Sequence, residues 1–220
     1  MELVIYNGSP RAKKSNSKLL MDQFLQGFNP ENPEATTVHY LANRKNREVY
    51  KTDYQRADTI ILIFPLYCDS MPGIVKEFFE DIYNLPATGS KKIGFIVQSG
   101  FPEAIHSTYI EAYLQKLAKR LKCDYLGTII KGGVEGIQMM PPAMTRKLFA
   151  NFNLLGQVFA KEGRFDAQIQ AKLRMPLKFS PLRLMVNRML NFTGIGNFYW
   201  NINLKKNKAY QQRFDKPFGD

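Results

Sequence analysis

Apolar residues along the first 163 positions follow two alternating rhythms. Short, nearly continuous runs read as strands: ELVIY at 2–6, ATTVHYL at 35–41, DTIILIFPLY at 58–67, KIGFIVQ at 92–98 and YLGTIIKGG at 125–133. The third is the most apolar, and Pro65 stops it. Between these runs the spacing lengthens to that of a helix. Leu19, Leu20, Phe24 and Phe28 share one face over 16–28, and Ile74, Phe78 and Ile82 share one over 71–84. Further helical patterns cover 103–122 and 144–163, the last with Gly163 as its expected stop. NPENP at 29–33 reads as a loop, and the polar stretch 43–57 is expected to be mostly loop as well. Apolar strands alternating with amphipathic helices predict an α/β fold, a parallel sheet covered on both faces.

In such sheets ligands bind beyond the carboxyl ends of the strands. That rule selects three segments. The first, NGSPRAKKSNS at 7–17, holds three hydroxyls and three basic residues and leads into a helix. Helix N-termini carry unpaired N–H groups and partial positive charge, which suits a phosphate. Ser9, Ser15 and Ser17 can donate hydroxyl hydrogens, and Arg11 adds a fork of donors. The plainer alternative is a helix capped by Ser15 or Asn16 behind a solvated basic loop. There is no GK[ST] and no GxGxxG. The second and third segments, PLYCDSMPG and QSGFPE, place Tyr67 and Phe101 just past buried strands. Gly100 lets backbone approach a flat ligand closely. Together the three suit a planar cofactor with one phosphate.

Composition narrows the classes. Two cysteines, Cys68 and Cys123, and two histidines, His39 and His106, make a zinc or iron–sulfur site unexpected. Both thiols are expected to be free and buried, with Cys68 inert near the ligand edge. His106 reads as a helix-surface residue and Glu103 as a first-turn carboxylate. No Ser-His-Asp or paired-carboxylate constellation stands out. No apolar run reaches the roughly 18 residues of a membrane span, and no signal-peptide pattern is present, so a cytoplasmic protein is expected.

GSPR followed by SNS, then PLYCDSMPGIVKEFFE, then QSGFPEA resembles the flavodoxin-like family of NAD(P)H-dependent FMN reductases and quinone reductases over residues 1–163. The resemblance implies a three-layer sandwich on a five-stranded parallel sheet of order 2-1-3-4-5. It implies FMN as cofactor, with NADH or NADPH as co-substrate. Hydride would pass from the nicotinamide through the flavin to a small acceptor such as a quinone or a flavin. By the same resemblance Ser9, Arg11, Ser15, Asn16 and Ser17 would hold the FMN phosphate. Pro65, Leu66, Tyr67 and Cys68 would line the ring on one side, and Ser99, Gly100, Phe101 and Glu103 on the other. The protein itself contributes no catalytic side chain in this reading, since the chemistry belongs to the flavin. A homodimer is implied as well. The cysteine cluster of iron–sulfur relatives is missing from 43–57. The alternative is an FMN-binding electron-transfer or interaction module without nicotinamide turnover.

The remaining residues, 164–220, form a basic extension with 11 Lys/Arg against 3 Asp/Glu; residues 1–163 carry 20 against 16. From Pro181 on, Leu182, Met185, Met189 and Phe192 recur three to four apart, which predicts an amphipathic helix of three turns. Gly194-Ile195-Gly196 breaks it before an aromatic segment, FYWNI. The extension is expected to pack on the core or on a partner subunit, with an anionic membrane as the less favoured partner and nucleic acid as an unfavoured one.

Overall fold

In the computed structural model, which describes residues 2–30, 36–86, 90–194 and 197–216, the chain divides into two units, Met1–Lys178 and Phe179–Asp220. The expected boundary at Gly163 thus falls inside the first unit.

The first unit is built on five parallel strands: β1 (Leu3–Asn7), β2 (Thr37–Tyr40), β3 (Thr59–Pro65), β4 (Lys91–Gln98) and β5 (Cys123–Lys131). Their order is β2-β1-β3-β4-β5, as the resemblance implied. Six helices cover the sheet: α1 (Asn16–Phe28), α2 (Arg47–Arg56), α3 (Gly73–Tyr83), α4 (Thr108–Arg120), α5 (Pro142–Glu162) and α6 (Ala167–Arg174). Alternate residues of each strand face opposite layers. Val4, Tyr6, Ile60, Leu62 and Phe64 join a core with residues of α2, α3 and α4. Leu3, Ile5, Ile61 and Ile63 join one with α1, α5 and α6. Of the expected loops and strands, 31–35 lie outside the described residues.

The stretch expected to be loop contains α2. Its inward face is Tyr50, Asp53 and Tyr54, all buried. These hydroxyls and the carboxylate are polar, so counting aliphatic residues misses the helix, yet each has a place. Tyr50 Oη donates to the Tyr40 carbonyl at 2.7 Å, Tyr54 Oη lies 3.6 Å from Cys123 Sγ, Asp53 Oδ2 meets His39 Nε2 at 2.7 Å, and the Tyr50 carbonyl accepts from Tyr6 Oη at 2.8 Å. Burial pushes the Tyr6 phenol far above its ordinary pKa, with the Asp53 charge adding to the effect.

On the opposite face α1 and α5 cross closely. A Cβ on Gly27 would stand 1.8 Å from the Asn153 carbonyl oxygen, and one on Gly156 would stand 2.0 Å from that of Phe24. Only glycine fits at both points. As expected, α5 stops at Gly163, which takes a left-handed cap at φ 66°.

The chain then turns back onto the sheet. Phe165, Ile169 and Leu173 are buried in the same core. The β4–β5 ladder is irregular at Ile93/Gly94, opposite Gly127 at φ +108°, and a Cβ on Gly94 would stand 2.7 Å from the Phe165 ring. The two glycines make the dent that Phe165 fills. Gln170 Nε2 donates to the Thr128 carbonyl at 2.8 Å, and the carbonyls of Pro176 and Leu177 accept the N–H groups of Ala104 and Ile105. Residues 164–178 therefore belong to the core.

The second unit carries α7 (Pro181–Phe192) and α8 (Phe198–Lys206). The expected three-turn helix is present as α7. Of the expected glycine break, residues 195 and 196 lie outside the described residues.

Candidate functional site at the carboxyl edge of the sheet

Four loops leave the carboxyl ends of β1, β3, β4 and β5 side by side. The first runs from Gly8 to Ser15 through a 3-10 turn, Ala12–Lys14, in which Ala12 adopts φ 45°. A non-glycine residue in that region costs of order 1 kcal/mol and is held only by its surroundings. Here the surroundings are a chain of short bonds. Ser9 N–H donates to Asn7 Oδ1 at 2.9 Å, Arg11 N–H to Ser9 Oγ at 3.3 Å and Ala12 N–H to the Ser9 carbonyl at 2.9 Å.

Ser15 caps α1. Its Oγ accepts from Lys18 N–H at 3.1 Å and donates to the Ala12 carbonyl at 2.6 Å. Asn16 Nδ2 donates to the Val134 carbonyl at 2.8 Å, and its Oδ1 accepts from Gln138 Nε2 at 2.9 Å. Ser17 is fully buried, and its Oγ accepts from Gln98 Nε2 at 3.4 Å. The loop thus spends three expected anion-facing side chains on its own integrity, because a buried polar turn must satisfy itself. What it leaves for an anion is different. The N–H groups of Asn16 and Ser17 start the helix, where no earlier helical carbonyl can accept them. The Ser9 hydroxyl hydrogen and the Arg11 guanidinium stand beside them. Asn7 Nδ2 at the root of the loop is buried without a partner in the described protein.

The second loop follows Pro65. Leu66 N–H donates to the Gln98 carbonyl at 2.7 Å, which extends the ladder one step. Tyr67 and Ser70 then exchange backbone hydrogen bonds at 2.9 and 3.0 Å around Cys68 (φ 47°) and Asp69 (φ 59°). Two successive positive φ values make a type I′ turn, without the glycine that usually relieves it. Cys68 sits at its exposed tip. It is not the buried thiol expected from sequence; the turn geometry lifts it outward. Cys123 is free and buried, and burial raises its pKa.

The third and fourth loops are tied together. Ser99 N–H donates to the Lys131 carbonyl, Val134 N–H to the Ser99 carbonyl and Gly133 N–H to the Phe101 carbonyl. A Cβ on Gly132 would meet the Phe101 oxygen at 2.5 Å. Burial lowers the Lys131 ammonium below its ordinary pKa.

Between these loops lies a cleft lined by Ser9, Arg11, Ser15, Asn16, Pro65, Leu66, Tyr67, Gln98, Ser99, Gly100 and Glu135. Its enclosed part measures about 60 Å³. Nine of these eleven residues were expected from sequence. Ser17 lies beneath the cleft, Cys68 at the turn tip, and Phe101 outside with its ring 4.8 Å from that of His106. Glu103 precedes the 3-10 turn Ala104–Ser107, 3.9 Å from exposed His106. Gln98 and Glu135 were missed. The glycine exit of the fifth strand, KGGVEG, was the available signal for Glu135, since the strand-end rule applies to β5 as well.

A larger hollow of about 1230 Å³ runs along α1 and α5, walled by Leu19, Ile137, Met140, Phe149 and Leu154. Lys13, Lys14, Gln138 and Arg146 also line it, but Gln138 is engaged by the Lys14 carbonyl and Asn16 Oδ1, and the hollow follows the helices rather than the strand ends, where ligands of such sheets bind. Among the described residues no three His, Cys, Asp or Glu side chains converge as a metal-binding group.

A family model described as flavodoxin-like fold matches residues 1–148. No curated protein matches. An NADPH-quinone reductase from P. pentosaceus is similar in structure at 20% identity and a TM-score of 0.56, over 70% of this chain and 96% of the other. An FMN-dependent NADH-azoreductase from Bacillus anthracis str. Ames Ancestor, solved in complex with FMN, is similar at 13% identity and 0.55, over 73% and 100%. An NAD(P)H:quinone oxidoreductase from Methanothermobacter marburgensis gives 15% and 0.54, over 71% and 94%. At such identities the likeness is one of fold. With two thirds of its length matched by the family model, and with the sheet order and loops described above, the chain belongs to the flavodoxin-like family.

Proposed function

We propose that the protein is an FMN-dependent oxidoreductase that takes reducing equivalents from NADH or NADPH and delivers them to a small acceptor such as a quinone or a flavin. The observation that carries this reading is the meeting of an open helix N-terminus with two backbone-lined loops at one sheet edge. The residues fit the cofactor. The N–H groups of Asn16 and Ser17, the Ser9 hydroxyl and Arg11 would hold the phosphate. Leu66, Tyr67, Ser99 and Gly100 would line the ring, with Tyr67 as the exposed aromatic face. When bound, FMN supplies hydride and one-electron chemistry. The chain's part is to fix the ring between rigid loops and to leave one face open for nicotinamide and acceptor in turn.

The reading includes a homodimer. The enclosed cleft is far smaller than the roughly 300–1,000 Å³ of ordinary ligand pockets, so a second subunit over the open side would complete it. Sedimentation gives the mass directly: a dimer is expected, and a monomer at all concentrations removes this part alone.

The deciding experiment adds FMN to purified protein and follows oxidation of NADH or NADPH with a soluble quinone. Turnover that requires both protein and FMN is expected. FMN uptake without nicotinamide oxidation leaves an electron-transfer module instead, and absence of FMN uptake removes the reading altogether.

A further inference from the structure

The second unit presents an apolar surface of its own. At 3.6 residues per turn, Phe192, Met185, Met189, Leu182, Val186 and Leu190 of α7 fall within about 160° of its circumference. Arg188 and Arg183 lie at the two borders of that arc, and Asn187 lies in the polar arc. All six apolar residues are exposed, with Leu182 at 66%, Met189 at 62% and Phe192 at 93%. Among the α7 residues whose side chains are described, only Asn187 is partly covered. Leu184, 47% exposed, falls in the polar arc, and the apolar arc is left uncovered along its length. Arg183 stacks on the Phe179 ring, 4.3 Å from its centre. Phe198 and Trp200 of α8 are exposed as well.

Charge selects the partner. Residues 179–220 carry seven Lys/Arg against two Asp and no Glu, and residues 1–178 are also basic, with 24 against 17. A second copy of this unit seated on the arc would bring Arg183 and Arg188 toward their own counterparts, a separate matter from a dimer formed at the cleft, and the chain's own core offers no acidic excess. Nucleic acid would answer the charge but has no use for an outward row of Leu, Met and Phe. An anionic lipid surface answers both. Arginines at the edges of the arc reach headgroups while their stems lie along the acyl boundary, and aromatic side chains favour the same depth. Spanning is not at issue: α7 has twelve residues, and no helix among the described residues is long and apolar enough to cross a membrane.

We infer that residues 179–220 form a peripheral module that seats the Leu182–Phe192 arc of α7 in an anionic membrane surface. This is independent of the FMN reading, and FMN uptake serves as a separate check of the fold. Full-length protein is sedimented with vesicles of phosphatidylcholine alone and of phosphatidylcholine mixed with phosphatidylglycerol. It should pellet with the mixed vesicles only, and less as salt rises. Met185→Glu with Met189→Glu should abolish pelleting, and Arg183→Gln or Arg188→Gln should each weaken it roughly fivefold. Protein that stays in the supernatant, or that pellets equally with neutral vesicles, overturns the inference. So does a dimer that the double glutamate variant turns into a monomer without any vesicle binding, which assigns the arc to a second copy. Salt-sensitive binding to duplex DNA that survives the double variant, with vesicles ignored, assigns the charge to nucleic acid and also overturns it.

Discussion

Residues 164–178 and 179–192 are adjacent, basic and helical, and they dispose of their apolar side chains in opposite ways. In the first stretch Phe165, Ile169 and Leu173 are buried, with Leu173 at 1%. In the second, Leu182, Met185, Met189 and Phe192 are exposed. Periodicity does not separate them, because both have an apolar stripe at helical spacing. The receiving surface does. The dent at Gly94 and Gly127 accepts the Phe165 ring, and the Thr128 carbonyl takes the Gln170 amide. An amphipathic stripe states that a surface must be covered, and what covers it is written elsewhere in the chain.

The sharpest way to break this contrast is to cut the chain at two places. Ending it after Gly163 removes Phe165, Ile169 and Leu173. Loss of a buried side chain of that size costs about 2–5 kcal/mol, so three together match the about 5–15 kcal/mol that holds a domain folded. That protein should be insoluble or molten. Ending the chain after Lys178 should leave a cooperative thermal transition and intact FMN uptake. Equal behaviour of the two truncations would remove residues 164–178 from the core.

Single substitutions repeat the test on a smaller scale. In urea titrations Leu173→Ala should lose about 2–5 kcal/mol, and Leu182→Ala should stay within about 0.5 kcal/mol of the parent. A large loss at Leu182 would mean that α7 is held against protein.

The smallest effect is electrostatic. Lys131 Nζ stands 3.4 Å from the Met175 carbonyl, and burial depresses its pKa. The unfolded chain keeps that proton to about pH 10.4, whereas the folded protein releases it earlier. The folded state therefore bears the full desolvation cost below its own pKa and sheds it as pH rises through that value. Lys131→Met should raise Tm modestly near neutral pH, and the gain should shrink as pH approaches 10. A pH-independent difference would place the ammonium in water.

Sequence patterning carried the sheet and most of its helices because β1, β3 and β4 are buried on both faces and read as unbroken apolar runs. It failed at α2, whose buried face is two tyrosines and an aspartate. The useful signal there was Tyr50 and Tyr54 at a spacing of four. At the cleft the strand-end rule selected loops that line it, but sequence does not reveal whether a hydroxyl is already engaged. Ser15, Asn16 and Ser17 look alike as donors on paper, and in the fold they cap a helix, pin the Val134 loop and meet Gln98. Glu135 escaped notice because it reaches the cleft only through the tie between the loops after β4 and β5, a contact between segments far apart in the chain.

The central claim is that the loop of Ser9, Arg11 and the α1 N-terminus binds the phosphate of FMN, and a paired titration tests it. FMN and riboflavin differ by that phosphate alone. Fluorescence quenching with the full chain should show FMN binding roughly tenfold or more tighter than riboflavin. Arg11→Ala should weaken FMN by about 1.5–3 kcal/mol, roughly tenfold to 150-fold, and leave riboflavin nearly unchanged. Equal affinity for the two flavins, or uptake of neither at roughly tens of micromolar, would contradict the account.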